Sequence, residues 1–492
     1  VTQQPPEPPQ AREPDEGRKP DEGGQSFEGG ESFEGRRVVV AGLGVSGRAA
    51  ARVLAGRGAH VTIVDARADD ASREQAAELE ALGVTVRLGD GDTLPEGTDL
   101  VVTSPGWKPD VPLLAAAASA GIEIYGEVEL AWRLRPAGAA PWLALTGTNG
   151  KTTCVRMLTE ILVAAGHDAV AVGNVGTPIV EAVLEGHDVL AVELSSYQLH
   201  WSSSLRPLAS AVLNVAPDHI DWHGSFEAYA ADKAKIFTPG AVAVVNADEP
   251  VSAGLGPADA KAFTLAIPAP GQVGVVEDLL VDRAFVDDPA TSAAELAELA
   301  DVKPFAPHNV ANALAAAALA RAFGVPPEAV RAGLRAFVPD PHRIAHVATV
   351  DGVDYVDDSK ATNPHAAASS LAACRSAVWI AGGLLKGADV DDLVASCADR
   401  LRAAVLIGRD RARIAEALAR HAPDVPVVDV PDTDTGAMDR VVTRAAALAE
   451  PGDTVLLAPA GASFDMFTSY GARGDAFADA VRRLSEQASA RA

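Results

Sequence analysis

The sequence is short of four things, and each shortage removes a class of protein. Only three cysteines occur in 492 residues, Cys154, Cys374 and Cys397, far apart and with no C-x-x-C pair. A disulfide framework and a structural zinc ribbon are therefore not expected. Positive charge is scarce: 41 Lys and Arg stand against 67 Asp and Glu, for a net charge of −26. A nucleic-acid partner is not expected, because neutralising phosphates takes clustered cations. An anionic ligand would have to bind at local sites made of helix N-termini and single basic side chains. Aromatic residues make up only 5% of the chain, so aliphatic and alanine packing must fill the cores. Long apolar runs and a signal-type h-region are both missing, which points away from membranes and export and makes the cytoplasm the expected compartment.

What is there reads as a well-buried globular chain, 48% hydrophobic and 22% charged, long enough for about three domains. Residues 1–35 are rich in Pro, Gly, Glu and Asp, with the echo Ser26-Phe27-Glu28-Gly29 and Ser32-Phe33-Glu34-Gly35. Such a segment buries too little apolar surface to offset its ordering entropy and is expected to be a disordered tail. Order is expected from Arg37. Strands alternate with helices from there on, which implies parallel, doubly wound α/β sheets. Pro136 to Pro141 and Pro339-Asp340-Pro341 act as breakers, dividing the chain into domains at 36–137, 138–340 and 341–492. The expected architecture is a Rossmann-like N-terminal domain, a central P-loop ATPase-like domain with a parallel sheet, and a C-terminal Rossmann-like α/β domain. The stretch from 251 to 300 has little periodicity and supports no assignment.

The strongest local signal opens the second unit. Gly147-Thr148-Asn149-Gly150-Lys151-Thr152-Thr153 sits between the strand Trp142 to Leu145 and the helix Lys151 to Ala165. Glycines let backbone N–H groups turn inward, and the helix N-terminus adds partial positive charge toward a phosphate. Lys151 can reach terminal phosphates, and a hydroxyl at Thr152 or Thr153 can meet Mg²⁺. The spacing, G-x-x-G-K-T, is shorter than the common phosphate loop. A magnesium ion also wants carboxylates. Glu193 ends the strand Asp188 to Val192, and Asp218-His219 follow the strand Ser210 to Asn214, both at the carboxyl edge where such sheets bind ligands. In the first unit, Gly42-Leu43-Gly44-Val45-Ser46-Gly47 followed by Asp65 reads as a dinucleotide fingerprint. Asn309 and Asn312 share a helix face, so they could pair with adenine, or Asn309 could cap the helix. Lys233 reads from its surroundings as an exposed helix lysine.

Taken together, the Gly147 to Thr153 loop, Glu193-Leu194-Ser195-Ser196-Tyr197-Gln198-Leu199 and Asn214-Val215-Ala216-Pro217-Asp218-His219 resemble the Mur ligases of peptidoglycan synthesis. Asp358-Ser359-Lys360-Ala361-Thr362-Asn363 and Ala458-Pro459-Ala460-Gly461-Ala462-Ser463-Phe464-Asp465 resemble, within that family, the member that adds D-glutamate. The resemblance runs from about residue 36 to about residue 480, with motifs from all three units in the family's order. It implies that ATP phosphorylates a carboxylate to an acyl phosphate, which an amine then attacks, with UDP-N-acetylmuramoyl-L-alanine and D-glutamate as substrates. By the same resemblance Lys151, Glu193, His219 and Lys233 form the catalytic set. Two Mg²⁺ ions are implied at Thr152, Glu193, His219 and a carbamylated Lys233.

ATP is implied at Gly147 to Thr153, Asn309, Asn312, Arg343 and Asp358. The uridine nucleotide, rather than a dinucleotide, falls on Val45, Ser46, Asp65, Ala66 and Arg67, with Gly106 and Asn174 contacting the same substrate. D-glutamate falls on Lys360, Thr362, Lys386, Ser463, Phe464 and Tyr470, the last standing where a phenylalanine is common, so that its hydroxyl is unexplained. A monomer is expected. The rival readings are another step of the same family, a folylpolyglutamate synthase, a nicotinamide-dependent dehydrogenase that would leave Lys151 idle, and a non-catalytic ATP-binding regulator that would not need the lysines of the last unit.

Overall fold

Three parallel-type sheets, each with its own helices, follow one another along the chain in a computed structural model that describes residues 31–432, 434 and 436–489. The first has five strands, all parallel, in the spatial order Thr85–Leu88, His60–Asp65, Arg37–Ala41, Leu100–Thr103, Glu123–Gly126. Its inner strands are the apolar runs Val38 to Ala41 and Leu100 to Val102, buried on both faces as a helix-covered parallel sheet demands. The helix Val45–Gly56 lies so close to the preceding turn that a Cβ at Gly47 would stand 1.9 Å from the Gly42 carbonyl oxygen.

The central sheet has nine strands. Its order is Ala294–Glu298, Leu279–Asp282, Gln272–Val276, Lys261–Phe263, Val242–Asn246, Ala209–Val212, Trp142–Thr146, Val189–Glu193, Ala169–Gly173. The strand Trp142–Thr146 lies between the neighbours ending in Glu193 and Val212, so its carboxyl end is the point where the chain switches direction across the sheet. The unassigned stretch turns out to hold four short strands, three to five residues each, of which the last two run antiparallel at the sheet's edge. Segments this short complete too few alternations for a period to show. The helix Pro307–Phe323 packs an unbroken buried run from Ala313 to Ala320 onto this sheet and the Lys151–Ala164 helix. Alanine lets the two helices and the sheet approach closely, which compensates for the shortage of aromatics.

The third sheet has six strands in the order Ala345–Val350, Val353–Asp357, Thr454–Ala460, Ala377–Gly382, Leu401–Ile407, Val427–Asp429, with only the first antiparallel. Among the described residues no helix is long and apolar enough to cross a membrane.

The N-terminal tail needs a correction. Residues 1–30 lie outside the described residues, but 31–35 are anchored through Glu31 and Phe33, with Ser32, Glu34 and Gly35 exposed, contrary to the expectation of disorder. Phe33 is 1% exposed and belongs to the first core, the Glu31 N–H donates to the Arg133 carbonyl at 3.1 Å, and Arg36 pairs with Glu31. One anchored phenylalanine gives no periodic signal, so only the tertiary cleft that receives it shows that it is core.

Candidate active site

The phosphate loop takes its shape from the strand beside it. The Thr148 N–H donates to the Asn214 carbonyl at 2.9 Å, the Asn149 N–H donates to Asn214 Oδ1 at 2.8 Å, and Asn214 Nδ2 returns a bond to the Asn149 carbonyl at 3.1 Å. Thr148 Oγ1 accepts from the Ala216 N–H at 2.9 Å and meets the Tyr229 hydroxyl at 2.9 Å. Gly150 closes the loop at φ +81°, and a Cβ there would stand 2.3 Å from Asn312 Oδ1, so glycine is required twice over. Lys151 begins the following helix and folds back to donate to the Gly147 and Thr148 carbonyls, both at 3.0 Å. Burial depresses its pKa, the Glu193 and Asp218 carboxylates oppose that shift, and the cations of Lys360 and Arg343 add to it. Lys360 and Arg343 belong to the third domain, so the two domains already face each other across the loop.

Around Lys151 the sequence-derived catalytic set is brought together. Glu193 is 1% exposed; its Oε1 accepts from Asn174 Nδ2 at 2.8 Å, and its Oε2 is buried with no partner. A lone anionic oxygen at that depth is costly without a cation or donor. Glu193 and the half-buried Thr152, the residue after Lys151, offer the hard oxygens that magnesium prefers, so their chemistry fits such an ion. His219 sits at φ +54°, a left-handed conformation that a histidine adopts only when its surroundings impose it. Burial lowers its pKa against the pull of Asp218, and the cations of Lys386, Lys151 and Lys233 lower it further.

Lys233 departs from the exposed reading. It is 1% exposed, donates to the Gly147 carbonyl at 2.7 Å, and lies over the Tyr229 ring at 4.6 Å. Burial, with Lys151 nearby, drives its pKa well down. A helical position in a run of small residues carries no sign of which way it faces until the loop covers it.

The nucleotide positions are also resolved. Asn309 does not cap its helix, since Ala306 stands at the cap; its Nδ2 donates to the Pro304 carbonyl at 3.1 Å and its Oδ1 accepts from Asn312 at 3.4 Å. Asp358 is buried and accepts from Ser370, with burial pushing its pKa up to about 6. Arg343 lies 3.6 Å from Asp340 in the segment joining the last two domains.

In the first domain Asp65 accepts from the Leu43 N–H at 2.7 Å and the Arg67 N–H at 2.8 Å, with the Arg67 guanidinium on the same carboxylate. Val45, Ala66 and Arg67 stand exposed at the carboxyl edge of the first sheet. Ser46 is half-buried on the Val45–Gly56 helix, and the Gly106 carbonyl accepts from Trp222 Nε1 at 3.2 Å. Asn174, expected on substrate, is tied to Glu193 through both its side chain and its backbone N–H, the latter at 2.8 Å to the Glu193 carbonyl, which sets it beside the carboxylate.

In the third domain, the loops bearing Lys360 and Thr362, Lys386, and Ser463 and Phe464 converge at the carboxyl ends of neighbouring strands. Leu384 and Ala462 exchange two backbone bonds, of 2.8 and 2.9 Å. The Lys360 ammonium lies 4.0 Å over the Tyr470 ring, which accounts for the aromatic there though not for its hydroxyl. Ser463 is buried while Phe464 is 70% exposed. Arg473, which the sequence did not mark, binds Ser359 through Oγ and carbonyl at 2.9 Å each and the Gly461 carbonyl at 3.0 Å, locking two of these loops. Asn363 Nδ2 donates to Asn149 Oδ1 at 3.0 Å, and His365 Nδ1 meets Asn149 Nδ2 at 2.9 Å, so the third domain touches the phosphate loop directly.

Three family models account for most of the chain: the Mur ligase MurD-like N-terminal domain over residues 36–126, the Mur ligase middle domain over 145–320, and the Mur ligase glutamate ligase domain over 342–461. The chain belongs to the Mur ligase family. Among its relatives are the UDP-N-acetylmuramoylalanine–D-glutamate ligases of Streptomyces avermitilis, 66% identical over 91% of this chain and 98% of the relative, and of Thermobifida fusca, 64% identical over 92% and 99%. Solved structures share the fold at low identity. A pseudomurein peptide ligase type C from Methanothermus fervidus matches with a TM-score of 0.55 at 18% identity, covering 91% of this chain and all of that one. UDP-N-acetylmuramate-alanine ligase from Thermotoga maritima matches at 0.53 and 17%, covering 92% and 99%. As a Mur ligase, this chain has a parallel-sheet central domain whose phosphate loop faces a third domain.

Proposed function

We propose that this chain is an ATP-dependent, ADP-forming ligase that joins D-glutamate to UDP-N-acetylmuramoyl-L-alanine, a cytoplasmic step in peptidoglycan precursor synthesis. One observation carries the reading. Lys151 of the phosphate loop faces Glu193, with its unpartnered oxygen, on one side and the lysine-bearing loops of the third domain on the other. Relatives of matching length carry that activity in their names.

ATP enters the Gly147 to Thr153 loop, where Lys151 exchanges two carbonyls for phosphate oxygens. Thr152, Glu193 and His219, with Lys233 as its carbamate, would hold magnesium, which neutralises charge gathering on the transferred phosphate. Carbamylation joins the uncharged form of the Lys233 amine to carbon dioxide with release of a proton, and burial of Lys233 favours that form. The substrate carboxylate takes the terminal phosphoryl group, ADP leaves, and the amine of D-glutamate attacks the acyl carbon. Inorganic phosphate departs with the C–O bonding pair as the amine gives up its proton. Lys360, Thr362, Lys386 and Ser463 hold the two carboxylates of D-glutamate, and Ser46, Asp65 and Arg67 hold the uridine nucleotide.

The test is phosphate release by purified protein with ATP, Mg²⁺ and UDP-N-acetylmuramoyl-L-alanine, offering each amino acid in turn. Release is expected with D-glutamate and at least about 10²-fold less from Lys151→Ala, the scale of a lost transition-state donor. Release with L-lysine or diaminopimelate instead would assign a sister step of the family, and no release with any amino acid would favour a regulator.

A further inference from the structure

Three short helices deliver the reactive side chains. Ser196–His200 follows Glu193, Ile220–His223 starts directly from His219, and Phe226–Ala234 carries Lys233. At five, four and nine residues they are too short to be held by their own backbone bonds. A single buried carboxylate joins them. Asp232 Oδ2 accepts from His200 Nδ1 at 2.8 Å and from His223 Nδ1 at 2.9 Å, while its Oδ1 pairs with the Lys235 ammonium at 2.8 Å. His223, whose side chain is fully buried, uses its other ring nitrogen to meet Ser196 Oγ at 3.0 Å, tying the second helix to the first as well. The Tyr197 ring stacks on His223 at 5.5 Å and touches the His219 ring at 4.9 Å.

We infer that Asp232, with His200 and His223, is a positioning device that fixes Glu193, His219 and Lys233 relative to one another. The inference rests on the functional reading above. It follows from connectivity: Asp232 and the His223 bound to it join all three helices through side chains, and the Lys235 ammonium held by the same carboxylate adds a bond to the His200 carbonyl at 3.1 Å. The left-handed His219 turn gives the network something to hold, because the Ile220–His223 helix is anchored at its far end by His223. The three groups lie close enough to suggest a cation site, with ligand atoms within 4.8 Å of one another. Two of those separations, however, are hydrogen-bond lengths, and an ammonium already occupies the other carboxylate oxygen, so the cluster is read as hydrogen-bonded.

The variant to make is Asp232→Asn, which keeps the shape but turns one acceptor into a donor facing the histidines. Four readouts are needed in the full chain: D-glutamate-dependent phosphate release, its magnesium dependence, KM for the UDP substrate, and Mn²⁺ binding by electron paramagnetic resonance with a non-hydrolysable ATP analogue. Turnover and Mn²⁺ affinity should each fall by about tenfold or more, the scale of a lost partner that orients metal ligands. KM for the UDP substrate should stay within about twofold. Unchanged Mn²⁺ binding and magnesium dependence would overturn the inference, as would a loss that merely tracks the fraction of folded protein. A stoichiometric zinc ion bound by the wild type and lost in the variant would replace it with a metal site. Should Asp232→Asn not fold, His200→Gln removes one tether alone and is read in the same way. Wild-type protein without D-glutamate-dependent release would sink the functional reading instead, and Mn²⁺ binding would still decide the positioning role.

Discussion

The two junctions between domains are built from different materials. Between the first and second domains one apolar cluster runs without a break from Val38, Leu54 and Leu130 through Trp132 and Trp142 to Ile179, Leu199 and Tyr229. The two tryptophan rings meet edge-on at 4.9 Å. Two buried glutamates reinforce it: Glu129 accepts from the Ser203 and Ser204 N–H groups at 2.9 and 3.0 Å, and Glu127 accepts from the Val180 N–H at 2.9 Å. Between the second and third domains the contacts at the phosphate loop are polar, Asn149 with Asn363 and His365, and Arg156 pairs with Asp340 at the connecting segment. The clusters of the third domain contain only that domain's residues. Buried apolar surface resists separation, whereas polar pairs exchange with water at little net cost. The first junction therefore acts as a weld and the second as a latch, which suits an enzyme that must admit ATP and an amino acid and then release product.

The largest test of that contrast is Trp142→Ala. Removing a fully buried indole at the weld should cost about 3–5 kcal/mol, measured by urea unfolding. Asn149→Ala at the latch, whose side chain meets Asn363 and His365, should cost under about 1 kcal/mol while raising KM for ATP or D-glutamate. Equal stability losses would erase the distinction.

A pH scan sharpens it further. Burial, chiefly, raises the pKa of Glu127 from an ordinary carboxylate value to about 7. The folded state thus keeps a proton that the unfolded state has already lost between the ordinary carboxylate range and about pH 7. Rising pH through that window must remove stability, with no further change from this group above it. Glu127→Gln, an isostere of the protonated acid, should flatten that slope, seen as a denaturation midpoint that no longer falls between about pH 5 and about pH 7. Parallel curves for the two proteins would show that Glu127 does not govern the weld. The smallest effect belongs to Tyr470→Phe. Because Lys360 rests on the ring face, removing the hydroxyl should leave KM for D-glutamate within about twofold. A larger rise would mean that the hydroxyl itself binds substrate.

Much of the fold could be read locally. The buried strands Val38 to Ala41, Trp142 to Leu145 and Ala377 to Ile380 announce themselves as apolar runs bounded by turns, and each lies in its sheet as expected. The phosphate loop was equally plain, because its glycines, lysine and threonines are contiguous and their job is set by backbone geometry. The misses share one cause. Lys233 looked exposed, Phe33 looked disordered and Arg473 was not singled out. In each case the deciding partner is distant in sequence: Gly147 for Lys233, the Glu127–Leu134 helix region for Phe33, and Ser359 with Gly461 for Arg473.

By itself, then, the order of residues determined the α/β rhythm, the phosphate loop and the identity of the groups able to do chemistry, since these depend on neighbours a few positions apart. Only the folded molecule decided which lysine is buried beneath the phosphate loop, which carboxylate oxygen is left without a partner, and which domain is welded and which latched. Burial and charge pairing act through space, and the distances that set them exist only once the chain has closed on itself.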